Sequence, residues 1–435
     1  MTTTSWANGV NGNFDTGSNW TNGVPAAGDT ALITTAGSYT VTSAKFNAMA
    51  ALAMAQQATL EIDNGAFRVT SGTGTGALAG TITVTNTGPD VGELQLGAKG
   101  TSTTFNNTGT IQLILVADLV IAGTATLTGN GQVILGGAGT IIGTGAFDGT
   151  LINGSSTSSG QTIAGTGAIG DGALHFVNPA NGVINASGDT NPAVSQALDI
   201  QTASFTNSGL MQATGTGILF LRSPIGQTAS GQIMTSNSGA AIVLDNASIA
   251  NGTVSIAEGS SLVSEGGTNS INTNSITNAG SIQSTGTSTL ILSSVANTST
   301  GELMAASGRI EVAGNAMGGT AVIGAGGGDF LRRTRVGECD IRRQWRPHPQ
   351  RRDEFHGYGF RSDGQSRRGD RSGKHSLRRR SDRQSIVRGW RVHRYRSGHQ
   401  CRRYDQDQRR RPLHSPRWDR RIHRLHADFH IAVPH

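Results

Sequence analysis

Apolar and polar residues alternate with a period of two in short runs through the first three quarters of the chain, and the runs stop at glycine, asparagine or a Thr-Gly pair. "ATLEIDNGAFRVT" (58 to 70), "GTITVTNTG" (80 to 88), "GTIQLILV" (109 to 116), "GILFL" (217 to 221), "AAIVLD" (240 to 245) and "GRIEVAG" (308 to 314) are of this kind. Alternation of Val, Ile and Leu with Thr, Gln and Glu turns one side of a strand to a core and the other to water. The N-G, T-G and G-G pairs between runs predict corners that tolerate positive φ. Residues 44 to 58, "AKFNAMAALAMAQQA", are the one apolar stretch with helical character, and they read equally as a strand and a turn. The prediction for this part is all-β.

A looser repeat overlies the alternation. "FNNTGTIQL" (105 to 113), "FTNSGLMQA" (205 to 213) and "ITNAGSIQS" (276 to 284) share an apolar residue followed by x-N-x-G-x-[Ile/Met]-Gln, and "FVNPANGVINA" (176 to 186) and "VANTSTGELMA" (295 to 305) are relatives with a longer turn. The first three begin 100 and 71 residues apart, read here as multiples of a rung of about 20 to 25 residues. Units that cannot bury an apolar face alone must stack. The fold expected over residues 43 to 328 is therefore a right-handed single-stranded parallel β-helix. Asn107, Asn207 and Asn278 read as structural: asparagine tolerates the left-handed region, bonds to local backbone, and can stack into an internal amide ladder. A sugar-binding asparagine row is the competing reading.

Residues 1 to 42 differ, with Trp6, Phe14, Trp20 and Tyr39 close to Pro25 and Asp29. The first rung of a solenoid has no neighbour below it, so this segment is read as a cap and first rung. Trp20 and Tyr39 supply apolar cover, and "GVPAAGDTA" supplies a tight turn containing Pro25 and Asp29. The alternative is an aromatic carbohydrate platform.

Charge divides the chain in two. The net charge of +7 averages residues 1 to 330, with five basic side chains against seventeen acidic, and residues 331 to 435, with thirty against eleven. Twenty-nine arginines, one lysine (Lys374), both cysteines and ten of the eleven histidines fall in the second part. Cys339 and Cys401 lie 62 residues apart without a zinc-ligand spacing, and the apolar residues there keep no sustained period. Alanine and glycine codons read one base off yield arginine, proline and histidine. Residues 339 to 355 also back-translate so that a neighbouring frame spells "ATFAGNGGLTLNAATN", in the idiom of the first part. Residues 329 to 435 are accordingly expected to be a disordered, out-of-frame tail; a genuine tail would instead bind polyanions.

Candidate chemistry is sparse. Glu61 and Asp63 form the clearest same-face carboxylate pair, at strand spacing, and His175 has no evident partner in sequence. There is no G-x-S-x-G elbow, no phosphate loop and no strong calcium spacing. No catalytic residue, metal or cofactor is expected. "MTTTSWANGV" lacks a basic and an apolar region of the signal-peptide kind, and "IQLILVADLVIAG" is too short for a membrane span.

The opening Asn19, Trp20, Gly23, Pro25 and Asp29, together with the later Ile163, Gly165, Gly167, Ile169 and Gly170, resembles the repetitive passenger or stalk regions of large secreted bacterial adhesins and autotransporter-like proteins. The likeness covers about residues 6 to 328. It implies a parallel β-helical stalk, extracellular or at the cell surface, contacting polysaccharide, host surface or sister cells, with further repeats or a secretion or anchoring module in a parent protein. It implies no catalytic residues, and no specific nucleic-acid partner is expected. A polysaccharide lyase or hydrolase on the same scaffold is the competing function.

Overall fold

The computed structural model describes residues 1–332 apart from 89–90, 144–148, 156–159, 190–194, 237 and 325–329. The basic segment expected from residue 329 lies outside them, save the backbone of a strand at Phe330–Arg332.

The chain is an all-β, right-handed parallel solenoid whose strands form three faces around one core. Face A has fourteen strands, from Gly12–Asn13 to Ala316–Met317, so thirteen turns separate its first strand from its last. At about 4.8 Å per strand this face rises roughly 60 Å. Face B runs from Asn47–Met49 to Thr320–Ile323, and face C from Thr3–Ser5 to Phe330–Arg332. Two long strands, Gly92–Asn106 and Ala117–Thr128, turn the B–C corner without a break and join those faces. Face C narrows at one rung to a single bridge, Leu78, between Met54 and Asn107.

Inward residues stack on inward residues. On face A, Ile163, Ile184, Met211, Ile233, Val254 and Ile276 pair in register and are fully buried or nearly so. Leu198, Leu219, Ile242, Leu262, Ile282 and Leu303 do the same on face B. Each rung covers the one below, so burial comes from neighbours about one rung away in sequence. The ambiguous stretch from residue 44 holds two strands, Asn47–Met49 on face B and Ala51–Met54 on face C.

Two expectations change. Asn107 follows and Asn207 ends a face C strand, at the C–A corner, whereas Asn278 ends a face A strand, at the A–B corner. The recurring motif therefore marks a strand, corner and strand at whichever corner it falls, and 71 residues is not a whole number of rungs. Gly109, in a Thr-Gly pair, does not take the positive φ predicted there, and it shares with the motif glycines Gly209 and Gly280 a different constraint, close approach to backbone. A Cβ on Gly209 would stand 2.3 Å from both the Gly182 and Pro179 carbonyl oxygens, and one on Gly280 would stand 2.3 Å from that of Ser260. These glycines let the corner lie against the backbone of the preceding rung. Positive φ is found at other predicted pairs, as at Gly23 of an Asn-Gly pair (76°) and Gly215 of a Thr-Gly pair (61°).

Candidate functional site

At the amino-terminal end, Trp6 stands between the two predicted aromatics. Its ring meets Trp20 edge-on at 5.1 Å and lies parallel to Tyr39 at 6.5 Å, while Phe14 links Trp20 (4.9 Å) to Phe67 (5.2 Å) in the rungs above. Trp20 Nε1 donates to the Phe14 carbonyl at 2.7 Å and Trp6 Nε1 to that of Val10 at 3.1 Å, so both indoles enter the core with their polar atoms satisfied. All four aromatics of this segment are buried, which leaves no aromatic platform for a sugar; burial also raises the Tyr39 hydroxyl pKa. Pro25 is buried beside the turn. Asp29 closes that turn by accepting the amides of Thr2 (2.7 Å) and Ala26 (3.1 Å), and these bonds, Thr2 first, lower its pKa.

The structure links two of the three predicted asparagines in one chain of amides along the C–A corner. Asn153 Nδ2 donates to Asn178 Oδ1 (3.0 Å), Asn178 Nδ2 to Asn207 Oδ1 (2.9 Å), Asn207 Nδ2 to Gln227 Oε1 (3.1 Å), and Gln227 Nε2 to the Asn251 carbonyl (3.0 Å). Below, Leu127 occupies the ladder position in register with Asn153. Gln161 fills that gap, accepting from Asn107 Nδ2 at 2.8 Å and donating to the Asn107 carbonyl at 2.7 Å. Asn278 stands apart, donating to Asn297 Oδ1 at 3.0 Å. Asn153, Asn178 and Asn297 share an apolar-x-Asn signature with the predicted three ("LIN", "FVN", "VAN"). These asparagines point inward, so a ligand meets other residues.

What the solenoid presents outward is most regular on face A. Thr40, Thr59, Thr81, Thr110, Gln132 and Thr162 stand in register on successive rungs. Thr42, Glu61, Thr83 and Gln112 form a second column two residues along. Columns repeat at about 4.8 Å between rungs and about 7 Å within a strand. Thr42 donates to Glu61 Oε2 (3.4 Å) and Gln132 Nε2 to Thr110 Oγ1 (3.3 Å), bonds that hold neighbouring polar groups in fixed relation.

A groove of about 530 Å³ follows the A–B corner higher up, lined among others by Gly259, Ser281, Gln283 and Thr300, with Glu258 and Glu302. It exists because successive corners there carry glycine, alanine or serine, which leave the edge unfilled. Among the described residues its lining includes no lysine or arginine. His175, unpartnered in the sequence reading, bonds through Nδ1 to Ser204 Oγ at 2.7 Å across one rung of face C, on an exposed strand surface. Arg222 clamps Asp199 (2.9 Å) and Asp245 (3.3 Å) across three rungs of face B and lies 4.2 Å over the Phe220 ring. Burial raises the Asp199 pKa against the opposing pull of Arg222. No group of three metal-ligating side chains occurs among the described residues, nor does a helix long and apolar enough to cross a membrane.

No protein-family model, curated protein or solved structure matches the chain.

Proposed function

We propose that the chain is a contact scaffold of the adhesin-like kind, working outside the cell, that holds neutral polysaccharide through many weak contacts without cleaving it. The observation that carries this reading is the pair of in-register Thr, Gln and Glu columns on face A, with a hydroxyl-lined groove at the A–B corner several rungs above them. A stack of rungs presents hydroxyl and amide groups at one repeated spacing, and a polymer of repeated sugars meets such a surface at several points together. Several weak contacts on one rigid body gain affinity through effective concentration rather than a deep pocket. The net negative charge of residues 1 to 330 favours neutral glycans over acidic ones.

Glu258 and Glu302 at one groove favour a second reading, hydrolysis of a bound glycan by two carboxylates. Affinity electrophoresis through gels containing neutral or acidic polysaccharide, with reducing ends assayed in parallel, separates the two. The scaffold is retarded by neutral polymers and releases no reducing ends. Retardation accompanied by product that disappears in Glu258→Gln or Glu302→Gln establishes the enzyme, and free migration in every gel refutes both.

A further inference from the structure

Large apolar side chains that remain exposed concentrate on one stretch of one edge. Phe46, Val91, Leu115 and Val116, between 44% and 56% exposed, all lie at the A–B corner in the lower rungs. Gly92 pairs with Ala117, which sets Val91 opposite Val116, with Leu115 next in the chain. Arg68 already covers Phe46, its guanidinium carbon 4.9 Å from the ring centroid, so the uncovered ridge is Val91, Leu115 and Val116.

Leu115 is held there at a conformational cost. Its φ is 63°, and every other non-glycine residue with positive φ among the described residues is an asparagine: Asn64, Asn246 and Asn251. One rung on, the stacked position is Gly137, at φ 66°. A γ-branched side chain in the left-handed region is strained where asparagine or glycine is not, and here that side chain is also half in water. Neither the backbone nor the core gains from a leucine at this corner.

Two residues along the same strands, Glu93 and Asp118 pair in register beside the valines. Glu93 and Asp171 both act on Asp118, adding to burial in raising its pKa. Lys45 pairs with Asp15 at 3.4 Å and Arg68 lies over Phe46. An apolar row thus runs beside an acidic row at the i, i+2 spacing of a strand.

We propose that this ridge docks an extended segment of another protein in which an apolar residue and a lysine or arginine stand two positions apart, the apolar side chain on Val91, Leu115 and Val116 and the cation on Glu93 and Asp118. This surface is separate from the polar columns of face A and does not depend on the glycan reading.

The test uses the full chain and a fluorescein-labelled peptide of Leu-Thr-Lys-Thr repeats, followed by anisotropy, with a Leu-Thr-Glu-Thr peptide as control. Val116→Thr and the double change Glu93→Gln, Asp118→Asn each weaken binding of the lysine peptide about tenfold or more, and the charge variant also flattens its salt dependence. The glutamate peptide binds the wild type more weakly than the lysine peptide, and the charge variant, which removes the like-charge repulsion, narrows that difference. Leu115→Asn weakens the lysine peptide comparably while melting at or above the wild-type temperature, since it relieves strain at an exposed corner. Lysine-peptide affinity unchanged within twofold by these substitutions overturns the proposal, as does a Leu115→Asn protein that binds normally and melts lower, which would make the leucine structural.

Discussion

Asn178 is the residue at which the amide ladder can be tested most sharply. It is fully buried; its Nδ2 donates to Asn207 Oδ1 at 2.9 Å and to the Gly182 and Leu210 carbonyls at 3.2 and 3.3 Å, and its Oδ1 accepts from Asn153 at 3.0 Å. In Asn178→Ala the Asn153 amide keeps the Gln161 and Val183 carbonyls, at 3.4 and 3.3 Å, and Gly182 keeps the Leu210 amide. Asn207 Oδ1 loses its ladder donor. An abandoned buried acceptor costs about 1–3 kcal/mol and each lost bond about 1 kcal/mol net, with about 1 kcal/mol more for the void. The expected loss is about 3–5 kcal/mol. Thr59→Ala, on the outward column of face A, is the control and shifts stability by about 0.5 kcal/mol or less. Because rungs touch only their neighbours, stability is a sum over local interfaces and the solenoid need not unfold as one unit. Hydrogen exchange is therefore the assay, read on the strands Thr150–Asn153, Ser204–Asn207 and Ile225–Gln227. Protection falls there first and much less near Val41 or Ile310. A loss below about 1 kcal/mol, or one spread evenly along the chain, would refute the claim that the ladder holds the C–A corner.

Three further outcomes follow from the geometry. Trp20→Ala empties a buried indole site and removes its edge-on contacts to Trp6 and Phe14, costing about 3–5 kcal/mol; proteolysis should begin at the amino-terminal rungs. Gly209→Ala drives a Cβ to 2.3 Å from two backbone carbonyl oxygens, so urea titration should show a loss beyond about 2 kcal/mol. The raised pKa of Asp118 means that its protonated form favours the fold, a contribution present at low pH and lost as pH rises from the unfolded value near 3.8 through the higher folded one. Asp118→Asn should therefore stabilise the protein at neutral pH and leave it unchanged at pH 3, measured by urea unfolding at both.

Much of the architecture was legible in the alternation itself. Strands such as Ile218–Leu221 and Ala241–Asp245 begin and end within a residue of their polar and apolar runs, because burial on one side imposes the period directly, whereas the run from 58 to 70 holds two strands on two faces. Corners were harder. Gly109, Gly209 and Gly280 carry the same letter as the positive-φ glycines, yet they answer to carbonyl oxygens of the preceding rung, a constraint that appears only once rungs stack. Gln161 joining the ladder beneath Asn153 depends on a register that no local pattern states. The pairing of His175 with Ser204, 29 residues on, is hidden for the same reason. Leu115 reads in sequence as one more apolar residue of "IQLILV", and only its backbone angle and exposure set it apart.

The central claim is that regular polar columns on face A hold polysaccharide by repetition, and substitution rung by rung tests it most directly. Thr59→Ala, then Thr59→Ala with Thr81→Ala, then both with Thr110→Ala, would be compared for retardation in gels of a neutral polysaccharide that retards the wild type, with folding checked by circular dichroism. The account predicts a stepwise fall in affinity with each rung and no cleavage of the polymer at any step. Equal retardation of the triple variant and the wild type would place the contact elsewhere and contradict it.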